Sequence, residues 1–572
     1  MNGTFLEQMA ARLSPDGKRL LGDIFAPRDV ATPPSNAWGN LCVLRDGRIR
    51  VYGKYGMKDE YDETAPDLYI ESADCGLSWS SHFVPEPGAL LAATYHPGRD
   101  LYCNVRVVRG SGTFFRYAPS PDDRAAEIRI SETEYIDVKL PFVLSTGRVL
   151  VVAHERRPEL HPTAFFAVLL ISDDFGATWK EIKLDPAPFF TITPPHKGYR
   201  WQQNNRENTI AELSDGSLVM LSRTAQDFHY VCRSRDGGLT WTRPVPSRFH
   251  ATATMPLLKR LSDGRLLLFW CNTQPLPELE TADGVWEDVF TNRDASHCAV
   301  SEDEGAHWIG YRELRLNPRR NDADFRSVGG IYSGKDKSVH QFEALELPFG
   351  KVLVVSGQHE VCRRITIFDL RWLYEKDRSE DLLAGMERLS VQTYLRSPLG
   401  GWRGPGYSGH CAYNRVPGAV MLPDPLNDRK EALCLSRLCS RDLVSPRSGA
   451  VWNFPAARRG RLTVRAMVGG QPLRVSLLDH WRNPSEETVS EFAAFSRAIT
   501  AEEGRGQPFD YVITFDCDDG AVFLTLPDGN AARGSLRGSF PDGLSYLHLQ
   551  TGEDETPGEG VYLMFLSAES LA

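Results

Sequence analysis

An eight-residue pattern, Ser-x-Asp-x-Gly-x-x-Trp, recurs four times, starting at Ser72, Ser172, Ser234 and Ser301 and ending at Trp79, Trp179, Trp241 and Trp308. A damaged fifth copy begins at Ser120-Pro-Asp122. Each fixed residue has a mechanical task. The Asp accepts hydrogen bonds from backbone N–H groups of its own turn. The Gly takes a backbone angle that side chains resist. The Trp is a large apolar wedge suited to packing between layers. The pattern is therefore a hairpin turn with a structural role, and its repetition points to a repeated sheet.

A second repeat runs out of phase with the first: an apolar strand, a turn with Gly, and another apolar strand. Its turn glycines are Gly47, Gly98, Gly147, Gly216, Gly264 and Gly350, at intervals of 51, 49, 69, 48 and 86 residues. Asp-Gly between β-rich runs signals a hairpin. Six such hairpins, most followed by a strand pair carrying the Trp turn, give six four-stranded units. Strands alone at a period of about 40–50 residues predict a β-propeller. Two packed sandwiches would not require a Trp turn at fixed phase. A seventh unit near Val416–Val420 is not continued by the strands after it, so six is the expected count.

Composition agrees with a soluble globular chain: 572 residues, 41% hydrophobic and 24% charged. Lys and Arg number 65 against 75 Asp and Glu, so a basic nucleic-acid footprint is not expected. No apolar run of about 18 residues is present, so no membrane span is expected. The first residues lack the pattern of a secretory leader. That predicts a cytoplasmic chain as written, or a secreted or periplasmic one if a leader was removed. Phe5, Met9 and Leu13 have the spacing of a short helix. The 11 cysteines are scattered without a C-x-x-C pair, which suggests buried thiols and neither a disulfide framework nor a zinc site. No cofactor or metal is expected from the motifs present.

The texture changes after residue 375. Residues 376–409 read as a connector with helical character, followed by a Gly/Pro-rich loop. From 410 to 572 short strands alternate with turns and carry no Trp turn, which predicts a β-sandwich of jelly-roll (concanavalin-like) type. Its expected role is to brace the propeller, with sugar binding as the alternative.

In a propeller blade the innermost strand runs along the axial channel and the next strand returns. Residues about nine before and about seven after each turn glycine therefore approach the same open face. In the fourth unit these are Glu207 and Arg223, an acid and a guanidinium aimed at one mouth. Similar offsets give Lys54, Arg106, His154 and His359 after the turns, and Trp38, Gln341 with His340, and Met255 before them. Lys, Arg and His around one Glu form a cationic funnel suited to an anionic ligand.

The Trp turns, known as Asp boxes, and the six-unit plan over residues 35–375 resemble the sialidase (neuraminidase) superfamily of BNR-repeat, six-bladed propellers. Glu207-Asn-Thr-x-x-Glu-Leu-x-Asp-Gly, with Arg223 sixteen residues after Glu207, carries the resemblance most specifically. The resemblance implies that Glu207 polarises a Tyr nucleophile and that Arg223 grips a substrate carboxylate beside Arg206. Arg293, just before the last Asp box, falls where a further family Arg is expected. The sequence departs from the family in places. The first-blade Arg is replaced by the stretch Asn36-Ala-Trp-Gly-Asn40, and His340 or Gln341 stands at the Tyr position. Tyr332 and Tyr407 are loop tyrosines able to supply a phenol, and the general acid is one of Asp59, Asp62 and Asp67.

Three functions compete. The first is a sialidase-like exo-glycoside hydrolase acting on a terminal acidic sugar. Glycoside cleavage normally needs two acidic residues, and the Arg fork binds a carboxylate by two parallel bonds. The second is a polysaccharide lyase or unusual hydrolase acting on uronate-containing glycans, with His340 or His154 moving the proton. The third is a sugar-binding propeller without catalysis. In each case the partner is a glycan or oligosaccharide.

Overall fold

The computed structural model describes residues 3–35, 41–54, 65–162, 164–192, 200, 202–275, 292–321, 338–358, 361–382, 385–394, 415–436, 447–551 and 560–571. All four Asp boxes close in the same way. In the third, Ser234 Oγ donates to Asp236 Oδ1 at 2.8 Å and accepts from Gly238 N at 2.9 Å. Asp236 then accepts from Thr240 N at 2.9 Å and Thr240 Oγ1 at 2.6 Å. Trp241 Nε1 donates to the Gly238 carbonyl at 2.9 Å, which fixes the indole over the turn. In the fourth box His307 replaces the hydroxyl residue, with Nδ1 2.6 Å from Asp303 Oδ2. The box glycines all have positive φ, from 85° to 94°. At Gly176 a Cβ would stand 2.5 Å from the Phe115 ring of the preceding sheet, so close approach as well as backbone angle requires glycine there.

Six antiparallel sheets follow one another along the chain. Their inner strands are Leu41–Val43, Thr94–His96, Phe142–Val143, Asn204–Glu212, Leu257–Arg260 and Phe342–Leu347. Five of the six sheets have four strands. The first has three, with an additional bridge between Tyr69 and Phe83. The outer strand of the last sheet is Arg28–Ala31, from the start of the chain, paired with Arg364–Asp369. Hydrophobic packing closes the circle. Each of six apolar clusters is shared by two neighbouring sheets, and one of them joins Ile49 and Val51 of the first sheet to Leu353 and Ile367 of the last. The box Trp residues pack into these seams: Trp79, Trp179, Trp241 and Trp308 each lie in the cluster shared with the sheet before. This all-β arrangement is consistent with a sialidase-like propeller.

Phe5, Met9 and Leu13 bury one side of the helix Gly3–Arg12 and the turn after it against the closing seam, as their spacing predicts. Pro15–Gly22 is a second helix, N-capped by Ser14, whose side chain accepts from Gly17 N. Five of the six hairpin glycines have positive φ. In the second sheet Asp100 takes that role, at φ 54°, in place of Gly98.

The connector differs from its expectation. Leu370–Tyr374 is a short 3-10 turn, and Asp377–Asp381 is a strand that pairs with Val561–Ser570 of the C-terminal fold. Exposure alternates along that strand, which suits a sheet with one solvated face. Two antiparallel sheets, one built around the strands Arg459–Met467 and Val561–Ser570 and one of four strands, enclose a single apolar core around Trp452, Val464 and Leu547. The cysteines among the described residues are free thiols, and all but Cys517 are buried. No helix among the described residues is long and apolar enough to cross a membrane.

The closing sheet carries a buried ion pair. Lys351 Nζ lies 2.7 Å from Asp369 Oδ2, with side-chain exposures of 2% and 1%. The same ammonium donates to the carbonyls of Gly22 and Ile24, and so ties the N-terminal helices to the ring closure. Removing one partner leaves a buried charge uncompensated. Asp369→Asn should therefore lower the unfolding free energy by about 3–5 kcal/mol, read from urea denaturation. A loss below about 1 kcal/mol would show that the carbonyls alone satisfy the ammonium.

Candidate functional site

The mouth is set by the ends of the inner strands opposite the glycine turns. In the fourth sheet the ladder between Asn204–Glu212 and Leu218–Thr224 slips twice, between Asn204 and Arg206 and between Arg206 and Thr209. Asn205 and Glu207 accordingly take positive φ, 72° and 49°. Such irregularities re-aim side chains, and strain of order 1–3 kcal/mol persists only where neighbours hold it. Here Asn205 Nδ2 donates to the Asp185 carbonyl at 2.7 Å, and Glu207 N donates to His154 Nε2 at 3.1 Å.

The Glu207 carboxylate is 3% exposed as a residue and accepts from Arg223 Nη1 at 2.5 Å. Burial alone would raise its pKa. The charges of Arg223, Arg206 and Lys139 outweigh that and hold it at about 2. The ionised form of Glu207 is therefore favoured, which suits a base or charge-stabilising role better than that of a general acid. On Arg223, burial and the charges of Arg206 and Arg293 lower the pKa to about 10 in spite of Glu207. The guanidinium still carries its charge at neutral pH. Arg206 acts on both members of this pair and Arg293 on Arg223, so three guanidinium groups share the site.

The surrounding groups have defined orientations. His154 Nε2 accepts from Glu207 N, so its proton sits on Nδ1, 3.2 Å from the Asp137 carbonyl. Burial lowers the His154 pKa and keeps the ring neutral. Arg206 is held by an ion pair from Nε to Asp137 Oδ2 and by the Phe165 ring, whose centroid is 4.4 Å away. Arg293 is 1% exposed and donates to the Ala253 carbonyl. Its own carbonyl accepts from Val339 N at 3.1 Å, which sets it beside the start of the sixth inner strand. There Ser338 Oγ donates to Gln358 Oε1 at 2.7 Å and lies 2.6 Å from His340 Nδ1. The Ser338 hydroxyl thus lies between Gln358 and the His340 ring. Gln341, with φ 67°, starts that strand and is buried.

Deeper along the axis the charges alternate. Burial lowers the Lys139 pKa, opposed by Glu207, Glu343 and Asp137. Lys139 Nζ is 2.8 Å from Met255 Sδ, which brings the fifth sheet into the same channel. Lys259 is lowered by burial against Glu343 and Glu346. On the next strand of the fourth sheet, His229 is fully buried. Burial lowers its pKa to about 3, opposed by the Ser222 carbonyl and reinforced by Arg223.

The structure thus brings together Glu207, Arg206, Arg223, Arg293 and His154, with His340 and Gln341 at the adjoining strand end. Lys54 and Arg106 are engaged elsewhere. Lys54 pairs with Asp67 at 3.2 Å in its own sheet, which also occupies that general-acid candidate. Arg106 is half exposed and pairs with Glu127 at 3.3 Å. Both follow the turn at the expected offset, but each finds a carboxylate on its own sheet before it reaches the mouth. Trp38, Tyr332, His359, Asp59, Asp62 and Tyr407 lie outside the described residues. Sequence reasoning missed Asp137, Lys139 and Glu343. Applied before the third turn glycine, the offset rule falls between Asp137 and Lys139 and would have found both. Around Glu207 the cations disfavour a metal ion. The metal-capable cluster among the described residues, His250, Asp479 and His480, lies where propeller and sandwich meet.

Residues 137–340 match the model of the BNR repeat-like domain. The match runs from Asp137 to His340 and so contains the described mouth. The matched stretch contains three of the four Asp boxes. Among solved structures the chain is similar to a protein of unknown function from Dyadobacter fermentans, at 15% identity over 60% of this chain and 96% of that one, TM-score 0.38. It is similar also to the intramolecular trans-sialidase from Ruminococcus gnavus, at 12% identity over 62% and 96%, TM-score 0.36. A third is Trypanosoma rangeli sialidase, at 11% identity over 96% and 92%, TM-score 0.34. No curated protein matches the chain.

The Glu207 charge also makes a pH-dependent contribution to stability. Its folded pKa is depressed below the ordinary 4.5, so the contribution is complete above about pH 5 and fades as the pH falls toward 2. Glu207→Gln should therefore unfold more easily than wild type at pH 7, by about 3–5 kcal/mol, because Arg223 loses its buried partner. The difference between the two should narrow as the pH is lowered below 5. Denaturation curves at pH 7 and pH 4 test this, and a gap that widens on acidification would contradict it.

Proposed function

We propose that this protein is a sialidase-like exo-glycoside hydrolase acting on a terminal sugar that bears a carboxylate. The observation that carries this reading is the buried Glu207–Arg223 ion pair, with Arg206 acting on Glu207 and Arg293 on Arg223. A site with three guanidinium groups favours an anionic ligand, and Arg matches the two oxygens of a carboxylate. An ionised Glu207 in a site closed to water suits stabilisation of the positive charge that develops on a sugar ring during cleavage. It also suits orientation of a nucleophile as its hydrogen-bond acceptor. A separate group must protonate the leaving oxygen, and the low pKa of Glu207 assigns that task elsewhere.

One observation favours a second reading. His340 is buried at the strand end beside Arg293, with Nδ1 2.6 Å from Ser338 Oγ, and an imidazole there suits proton abstraction from a uronate in a lyase. For the C-terminal fold we infer a jelly-roll brace. The support is a set of direct ties between the two folds. Tyr546 Oη donates to Glu313 Oε1 at 2.9 Å, Asn453 Nδ2 donates to the Tyr311 carbonyl at 3.0 Å, and Arg248 pairs with Asp542 at 2.9 Å.

The test is turnover of a panel of chromogenic glycosides with carboxylated, esterified and neutral terminal sugars. The carboxylated members should be cleaved, and esterification should reduce kcat/KM by roughly 100-fold or more, the scale of a lost charge-assisted bidentate contact. Glu207→Gln should lower kcat at least about 100-fold. Near-wild-type turnover in that variant would remove Glu207 from the mechanism. A product absorbing in the near ultraviolet would replace hydrolysis by the lyase reading.

A further inference from the structure

His250 ends the outer strand Val245–His250 of the fourth propeller sheet, and Asp479 and His480 follow the sandwich strand Leu473–Leu478. One donor atom from each of these three side chains lies within 4.8 Å of the other two. The two imidazole rings are stacked, with centroids 3.7 Å apart. Both turn toward the same carboxylate. His480 Nδ1 is 2.7 Å from Asp479 Oδ1, and His250 Nε2 is 3.5 Å from Asp479 Oδ2. The longer separation is beyond a good hydrogen bond, and it is close to the span of about 3.3–3.5 Å between two donors bonded to one tetrahedral zinc ion.

We propose that His250, Asp479 and His480 form a zinc site that joins the propeller to the sandwich. Two imidazoles and a carboxylate are a donor set for Zn²⁺ and a poor one for the hard ions Ca²⁺ and Mg²⁺. Three protein ligands leave the fourth tetrahedral position to water. His480 already has the outer contact that a metal-bound histidine uses: Nε2 is 3.0 Å from Gln274 Oε1, which accepts its proton when Nδ1 binds the ion. His250 Nδ1 is buried and has no hydrogen-bond partner.

The backbone holds the donors in place from both sides. Trp481 N donates to the Asn272 carbonyl at 2.8 Å, and Asn272 Nδ2 donates to the Asp479 carbonyl at 2.8 Å. A parallel bridge joins Thr273 to Trp481. Metal entry requires one local change: the ion replaces the short His480–Asp479 hydrogen bond, and the two donors separate by a few tenths of an ångström. The ion takes the place of the proton that His480 Nδ1 shares with Asp479, because metal binds the neutral imidazole and the ionised carboxylate.

The test uses the full chain, stripped with a chelator and then titrated with Zn²⁺ or Co²⁺. One equivalent of Zn²⁺ should bind, Co²⁺ should give the visible bands of a four-coordinate site, and Zn²⁺ should raise the Tm. His250→Ala and Asp479→Asn should each weaken binding at least tenfold. Circular dichroism of each variant checks that it is folded, and Glu207→Gln should bind the ion as wild type does, which separates this site from the mouth. Binding well below one equivalent, a preference for Ca²⁺ over Zn²⁺, or unchanged affinity in folded His250→Ala would overturn the proposal.

Discussion

A carboxylate sealed from water is tolerated only where positive charge replaces its hydration. The mouth of the ring is organised around that requirement. Glu207 points inward because two slips in the ladder turn it there, and it is stable there because Arg223, Arg206 and Lys139 reach it from three directions. The cations in turn exceed what one Glu can neutralise. Arg206 draws on Asp137, but the charges of Arg206 and Arg293 still lower the affinity of Arg223 for its proton. The anionic sugar proposed as ligand would bring the charge that balances such a cluster.

The ring itself was readable because its repeat is local. Each Asp box is completed by residues within eight positions of one another, so the residue types alone determine the turn. The glycine hairpins were readable for the same reason, except where Pro97-Gly98 moved the left-handed position to Asp100. What could not be read was long-range. Strand Arg28–Ala31 completes a sheet whose other strands lie more than 300 residues later. The strand Asp377–Asp381 looked helical because its charges permit either form, and its partner Val561–Ser570 decides the matter.

The mouth was legible in part. Glu207 and Arg223 were found because a hairpin turn fixes their register, and they meet directly. Arg293 entered through the family resemblance, and the Val339 N–H bond to its carbonyl accounts for its position. Lys54 and Arg106 fitted the same offset rule, which gives the height of a residue along the strand. It does not reveal a carboxylate on the neighbouring strand, and Asp67 and Glu127 capture the two side chains. The junction between ring and sandwich was illegible, since His297, Tyr546 and Glu313 come together only when both folds are complete.

The central claim is that the arginines at the mouth grip a carboxylate. A crystal structure of the protein soaked with an acidic monosaccharide tests it most directly. The account predicts the sugar carboxylate within about 3 Å of the Arg223 and Arg293 guanidinium groups, with Glu207 facing the ring. Sugar density with the carboxylate turned to solvent, or bound on the sandwich with the mouth left open, would contradict it.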